Sequence, residues 1–241
     1  MPFIAIDSEV RKRISYELKP REYRQDWWCP HCWEMFSFVN TSTKTKHFRH
    51  PPSSNCLSEP ESKEHLDLKR YVFEDLKQSR YKVEYEYRID SQIADVAVFL
   101  DNGIIVFECQ VSPLSLSSLL GKTFDYLKSD VFPVWLLHPK YHKRYMERNQ
   151  DFYYKLSRIG SLLKDISWVL WYSENSSSLQ RIEFSPKFGI DPFGEEYECK
   201  TMFYVEKGKS LSPTEVIGEF NTSIPSYFAD MWDIQDLEEG D

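Results

Sequence analysis

Ile93 to Val111 reads IADVAVFLDNGIIVFECQV. Two apolar, β-rich runs flank Asp101-Asn102-Gly103, and Asn-Gly tolerates the positive φ that a two-residue hairpin loop needs. A loop of Asn102-Gly103 pairs Asp101 with Ile104 and sets Asp95 opposite Gln110, with Glu108 on the diagonal. A loop of Asp101-Asn102 instead sets Asp95 opposite Glu108. In both registers Asp95, Glu108 and Gln110 leave one face, beside Ala97, Ile104 and Val106, because side chains alternate with a period of two.

Two carboxylates on an apolar wall repel and lose hydration, so they need a cation or a proton. One reading is a divalent ion held by Asp95 and Glu108. The other is an edge hairpin whose acids are simply solvated.

The chain has 241 residues, of which 41% are hydrophobic and 16% aromatic, enough for one large or two small domains. No apolar run is long enough for a membrane span, and the first residues, MPFIAIDSEVRKR, lack the order of a signal peptide. A cytoplasmic protein is expected. The formal net charge of −8 argues against a surface that grips nucleic acid everywhere. Lys and Arg still gather over 12–24 and 140–148. The ending DIQDLEEGD reads as a weakly ordered acidic tail.

Five cysteines, two of them clustered, suit a metal or free thiols better than a disulfide frame. Cys29-Pro30-His31-Cys32 places two thiolates one tetrahedral edge apart. Two of His47, His50 and Cys56 can complete four ligands for a structural zinc. His50 with Cys56 and His47 with His50 both remain open, and His31 is expected at the surface.

Residues 60–79 predict a helix starting near Pro60 and Ser62. On a wheel of ~100° per residue, Leu66, Leu68, Val72, Phe73 and Leu76 form one arc. Glu61, His65 and Lys69 fall inside it, so they need partners or reach water at the helix end. Tyr81 to Ile89 alternates as a half-buried strand, with Glu84, Glu86 and Arg88 outward. Ser115 to Leu127 predicts a helix with Leu116, Leu119, Leu120, Phe124 and Leu127 as core. Val131 to Leu137, VFPVWLL, is a continuous apolar strand. A further helix is expected over 141–165, then strands at Trp168–Tyr172, Arg181–Phe184 and 200–205. His138 and His142 are expected at the surface. The chain thus divides into a zinc-binding β module (1–58), a core ordered helix, three strands, helix, strand (59–140), an α+β extension (141–230) and the tail (231–241).

This ordered set resembles the competence protein CoiA-like family, whose nuclease domain belongs to the PD-(D/E)xK superfamily. Cys29-x2-Cys32 and His47-Phe48-Arg49-His50 look like its zinc module. Glu61-Ser62-x2-His65-x3-Lys69 looks like its first-helix motif, and Asp95-Val96 like its strand acid. Glu108-Cys109-Gln110-Val111-Ser112 looks like its E-x-Q-x-S strand, Lys122-x3-Tyr126 like its R-x3-Y helix, and Val134-Trp135-Leu136-Leu137 like its closing strand. The sequence departs from the family at Ile93, where arginine is usual, and at Lys122, also usually arginine.

The resemblance implies an α/β nuclease-like core and metal-dependent hydrolysis of phosphodiesters, with DNA and recombination or DNA-processing proteins as partners. Asp95, Glu108 and the Cys109 carbonyl would hold Mg²⁺ or Mn²⁺. Gln110 stands where the superfamily has lysine. It cannot act as a base or a cation, so Lys69 is the expected compensating charge. Glu61 would assist a second metal, His65 would act as base or phosphate contact, and Lys122 and Tyr126 would steady the strand or a phosphate. A non-catalytic DNA-binding or recombination-partner protein, working through its zinc module, is the rival expectation.

Overall fold

The computed structural model describes residues 2–42, 45–56, 62–101, 103–112, 114–140, 167–173, 177–190 and 196–219. The helix expected over 141–165, His142, Glu61 and the acidic tail lie outside these.

The N-terminal strands are β1 (Ile4–Ile6), β2 (Lys12–Ile14), β3 (Trp27–Trp28), β4 (Met35–Val39) and β5 (His47–Arg49). They form an antiparallel sheet in the order β2-β1-β3-β4-β5. Strands this short cannot bury much surface alone. They share a small aromatic core of Trp27, Phe36 and Phe48, joined by Leu18 and Cys29.

Next come α1 (Lys63–Lys77), β6 (Lys82–Ile89), β7 (Gln92–Leu100), β8 (Gly103–Gln110), α2 (Leu116–Lys128) and β9 (Val131–Leu137). Three strands follow: β10 (Trp168–Ser173), β11 (Ser178–Ile190) and β12 (Glu196–Leu211). All seven strands make one sheet, β12-β11-β10-β9-β8-β7-β6. Only β8–β9 and β9–β10 pair in parallel. A strand at the centre of such a sheet is covered on both faces, which is why every residue of VFPVWLL is buried.

Each helix starts on a serine cap. Ser62 accepts the His65 amide and Ser115 accepts the Ser118 amide. Helix α1 packs Leu66, Leu68, Val72, Phe73 and Leu76 onto one sheet face, over Val96, Val98, Ile105, Phe107 and Cys109. Burying each such aliphatic or aromatic side chain is worth about 1.5–3 kcal/mol. Helix α2 covers the opposite face, where Tyr126 meets Ala97, Val106 and Val131. Phe124, expected in the core, is instead 48% exposed. The helix is rotated so that Leu119, Thr123, Tyr126 and Leu127 face inward. Trp135 fixes that rotation by donating its indole N–H to Thr123 Oγ1 at 3.0 Å.

The central hairpin takes the second of the two expected registers. Leu100 pairs with Gly103 and Val96 with Phe107, the register in which Asp95 counts opposite Glu108. The two registers differ by two residues and give every side chain the same facing. Apolar burial therefore cannot choose between them, and turn geometry does.

Candidate functional site

Two separate clusters of metal-type ligands arise among the described residues. In the first, Cys29, Cys32, His50 and Cys56 bring one ligand atom each to within 4.8 Å of one another. Cys29 Sγ lies 3.8 Å from Cys56 Sγ, and Cys32 Sγ lies 3.3 Å from His50 Nε2. Sulfur atoms around one zinc stand roughly 3.8 Å apart when each Zn–S bond is about 2.3 Å. The Cys29–Cys32 turn is closed by the His31 amide on Cys29 Sγ and the Trp33 amide on the Cys29 carbonyl. Burial pushes the Cys29 thiol up and the His50 imidazole down. A bound divalent ion reverses the first effect and needs the second, because it takes thiolate and neutral imidazole. Of the three downstream candidates, His50 and Cys56 complete the set. His47 turns inward instead, is buried, and places Nδ1 2.6 Å from the Thr45 carbonyl. That bond draws it out of the cluster. His31, expected at the surface, is half-buried, because the knuckle folds back on the module.

The second cluster centres on Asp95. The strand ladder stops at Val96–Phe107, and Asp95 Oδ2 accepts the Cys109 amide at 2.8 Å. His65 Nε2 is 3.0 Å from the same oxygen, and Lys69 Nζ is 3.4 Å from Oδ1. Both come from α1. Lys69 also donates to Glu86 Oε1 at 3.0 Å and is only 2% exposed. Burial alone would raise the Asp95 carboxyl, but the His65 and Lys69 charges hold it far below the usual carboxylate range. His65, Asp95 and the Cys109 thiol bring ligand atoms to within 4.8 Å of each other.

Glu108 points the other way. Lys122 Nζ donates to Glu108 Oε2 at 2.7 Å, and the Tyr126 hydroxyl donates to Oε1. Both partners belong to α2. Burial, with the Asp95 charge added, pushes the Glu108 carboxyl up against the pull of Lys122. The expectation that Asp95 and Glu108 share a face is therefore corrected: α1 holds one carboxylate and α2 the other, with Asp95 on the Cys109 amide.

The cause lies in a break in alternation at Glu86. Tyr85 and Val96 pair and sit in the α1-side core, whereas Tyr87 and Ala94 pair and pack on the α2 side. Strict alternation would keep Tyr85 and Tyr87 on one face. Glu86 has φ of +47°, which turns the strand over and carries Glu86 and Asp95 together towards Lys69. Such a backbone costs about 1–3 kcal/mol, offset here by the buried ion pairs. The reading of Glu86 as solvent-facing is corrected, since it is 6% exposed. Among the described residues Lys69 pairs with Glu86 and Asp95 rather than Glu108, and Glu61 lies outside those residues. The signal that could have found Glu86 was Lys69 itself. A lysine on the apolar arc needs an acid, and Glu86 is the acid nearest the strand that the helix covers.

Gln110 ends β8, is half-buried, and donates its side-chain amide to the Ser112 carbonyl. His138, expected at the surface, is buried. Its amide bonds the Gln110 carbonyl at 2.9 Å, and its Nδ1 accepts the Lys140 amide at 3.1 Å. The parallel register pairs Gln110 with Leu137 and so carries His138 to the same strand end.

A family model described as the competence protein CoiA nuclease-like domain matches residues 61–185, just over half of the chain. The chain belongs to that family. No curated protein matches it. The match to the CoiA nuclease-like domain takes in α1 through β10 and part of β11, and hence every residue of the Asp95 and Glu108 clusters. The four-ligand cluster of the N-terminal sheet lies outside it. No helix among the described residues is long and apolar enough to cross a membrane.

Proposed function

We propose that this chain is a metal-dependent nuclease that hydrolyses phosphodiester bonds of DNA during uptake or recombination in the cytoplasm, with a PD-(D/E)xK core and one structural zinc. The observation that carries the reading is a pair of buried carboxylates on adjacent strands, Asp95 bound to the Cys109 amide and Glu108 one residue before it, within a helix, three-strand, helix, strand unit. Asp95 stays ionised, and oxygen donors of this kind suit a hard divalent ion. Asp95, Glu108 and the Cys109 carbonyl would hold Mg²⁺ or Mn²⁺. When bound, such an ion activates a water and neutralises charge developing at phosphorus.

The chain's own residues do the rest. Lys69 keeps Asp95 charged and supplies the buried cation that Gln110 cannot. Gln110 orients water by hydrogen bonds, and His65, half-exposed at the helix start, accepts a proton or contacts phosphate. Lys122 is partly exposed, so it can leave Glu108 for a phosphate, while Tyr126 steadies the carboxylate. Glu61 would assist at the helix start.

A specific observation favours a second reading. Lys69 and Lys122 already neutralise the two acids. Residues 1–58 hold nine Lys and Arg against six Asp and Glu, in a chain whose net charge is −8. A non-catalytic protein that binds DNA through this module would look the same.

A cleavage assay on single-stranded, nicked and branched DNA, with Mg²⁺ or Mn²⁺, separates the two. Metal-dependent cleavage lost in Asp95→Ala and Glu108→Ala by a hundredfold or more supports the nuclease. DNA binding with no cleavage under any of these conditions would leave the binding protein.

A further inference from the structure

We propose that His65 Nε2, Asp95 Oδ2 and Cys109 Sγ form a binding site for a borderline divalent ion of the Mn²⁺, Co²⁺ or Zn²⁺ type, on the α1 side of the sheet, with Glu108 outside its ligand set. The inference rests on the nuclease reading only in sharing Asp95.

Three observations converge. The first is geometric. The three ligand atoms lie within 4.8 Å of one another, and His65 Nε2 and Asp95 Oδ2 are already 3.0 Å apart. They come from α1, β7 and β8, so the fold itself assembles the triangle. Lys69 engages Asp95 Oδ1, while Oδ2 faces His65 and also accepts the Cys109 amide at 2.8 Å.

The second is donor chemistry. One nitrogen, one oxygen and one sulfur make a poor site for Mg²⁺, which demands oxygen ligands in a near-ideal octahedron. The same trio suits ions that accept imidazole and thiolate. Three protein ligands among the described residues leave a position for water or substrate, as in catalytic rather than structural sites. The His65 side chain is 21% exposed and the Asp95 side chain 12%, so the open position faces the solvent end of α1. Buried Cys109 forms the floor.

The third is charge. Asp95 and Glu86 are buried acids that face His65 and Lys69. Glu86 Oε2 receives no hydrogen bond from any described residue, so acceptor capacity beside Lys69 is unmet among them. An ion bound to Asp95 takes thiolate from Cys109 and neutral imidazole from His65, releases their protons to solvent, and supplies the acids with a cation. The Glu108–Lys122 pair is held on α2 and takes no part.

Cobalt(II) is the probe, added to protein whose structural zinc is in place and whose zinc content is measured again afterwards. The expected result is one bound Co²⁺ per chain with a near-ultraviolet sulfur-to-cobalt charge-transfer band and no loss of zinc. Cys109→Ser, close in size, should abolish that band. His65→Asn should weaken Co²⁺ binding at least tenfold. Glu108→Gln, which removes none of the three ligands, should keep the sulfur-to-cobalt band. Far-ultraviolet circular dichroism and retained zinc establish that each variant is folded. The opposite pattern, with Co²⁺ lost in Glu108→Gln and undisturbed in Cys109→Ser and His65→Asn, overturns this site and leaves the nuclease reading standing. Bound Co²⁺ that shows no sulfur band in the unsubstituted protein also overturns it. Absence of any Co²⁺, Mn²⁺ or Mg²⁺ binding beyond the zinc overturns both.

Discussion

The four-ligand cluster and the Asp95–Glu108 region are both built from chemistry-bearing side chains, yet they solve opposite problems. In the first, three thiols and an imidazole bring their ligand atoms to within 4.8 Å of one another. In the second, each carboxylate already has a protein cation: Lys69 from α1 and Lys122 from α2. The first cluster is a donor set that an ion would tie together. In the second, an incoming ion would have to displace protein cations. Carboxylates paired within the protein suit a ligand that exchanges, whereas thiols and imidazole gathered at one point suit an ion that stays.

The largest expected effect tests the first half of that contrast. Cys29→Ser, or a strong chelator, should remove zinc and destabilise the N-terminal sheet by about 5 kcal/mol or more, below the 10–16 kcal/mol of zinc-finger peptides because an aromatic core persists. Hydrogen exchange should accelerate in β3 to β5 and spare β7 to β9. Reduced protein that carries no zinc would erase the contrast.

Lys69→Met comes next, at about 3–5 kcal/mol, because it strands two buried acids. Urea unfolding should show the loss, and adding Glu86→Gln should return part of it. An unchanged urea midpoint would mean that Lys69 carries no buried charge. Cleavage should fall in this variant as well.

The two acids also predict pH limbs of opposite sign. Asp95 has a lowered folded pKa, so its contribution is complete above the unfolded value of about 3.9 and disappears as pH falls further. Glu108 has a raised folded pKa, so its contribution is complete below the unfolded value of about 4.3 and is lost as pH rises through the folded one. Stability profiles of Asp95→Asn and Glu108→Gln should flatten the acid limb and the upper limb respectively. The same limb lost in both would refute the separate holding of the two acids.

Tyr126→Phe removes one donor from Glu108 and should cost about 1.5–3 kcal/mol. The smallest effect belongs to Lys140→Ala. Its partner Glu64 is drawn down to about 2, chiefly by the bond to Lys140, but both side chains are substantially exposed. Its cost should stay below about 0.5 kcal/mol, and a thermal melt that shifts by several degrees would show it to be more than a surface pair.

Much of this was legible in the sequence. The apolar arc of α1, the cap at Ser62 and the run VFPVWLL each follow from local periodicity, and each sits where that periodicity puts it. The knuckle Cys29–Cys32 was legible for the same reason, since its spacing is local. What escaped depended on single backbone torsions or distant contacts. Glu86 reads as one more polar residue on an alternating strand, and only its φ of +47° turns it inward. That same turn moved Asp95 to the α1 side. The choice of His50 over His47 depended on the loop through Pro51 and Pro52, and the burial of His138 on a parallel register. Neither leaves a mark in composition.

Glu86 also receives a hydrogen bond from the beginning of the chain: the Phe3 amide donates to Oε1 at 2.7 Å, and the Phe3 ring packs against Tyr16 and Tyr85. During synthesis this imposes an order. All four cysteine and histidine ligands have left the ribosome once Cys56 emerges, so the module can load its ion early. The Phe3 amide has no acceptor until residue 86 is made, and the Lys69–Glu86 pair must wait for the same residue. The ligand set of the N-terminal module is therefore complete before its hydrogen bonds are, and the arrival of one glutamate supplies the acceptor for Phe3 and the partner for Lys69 in the same step.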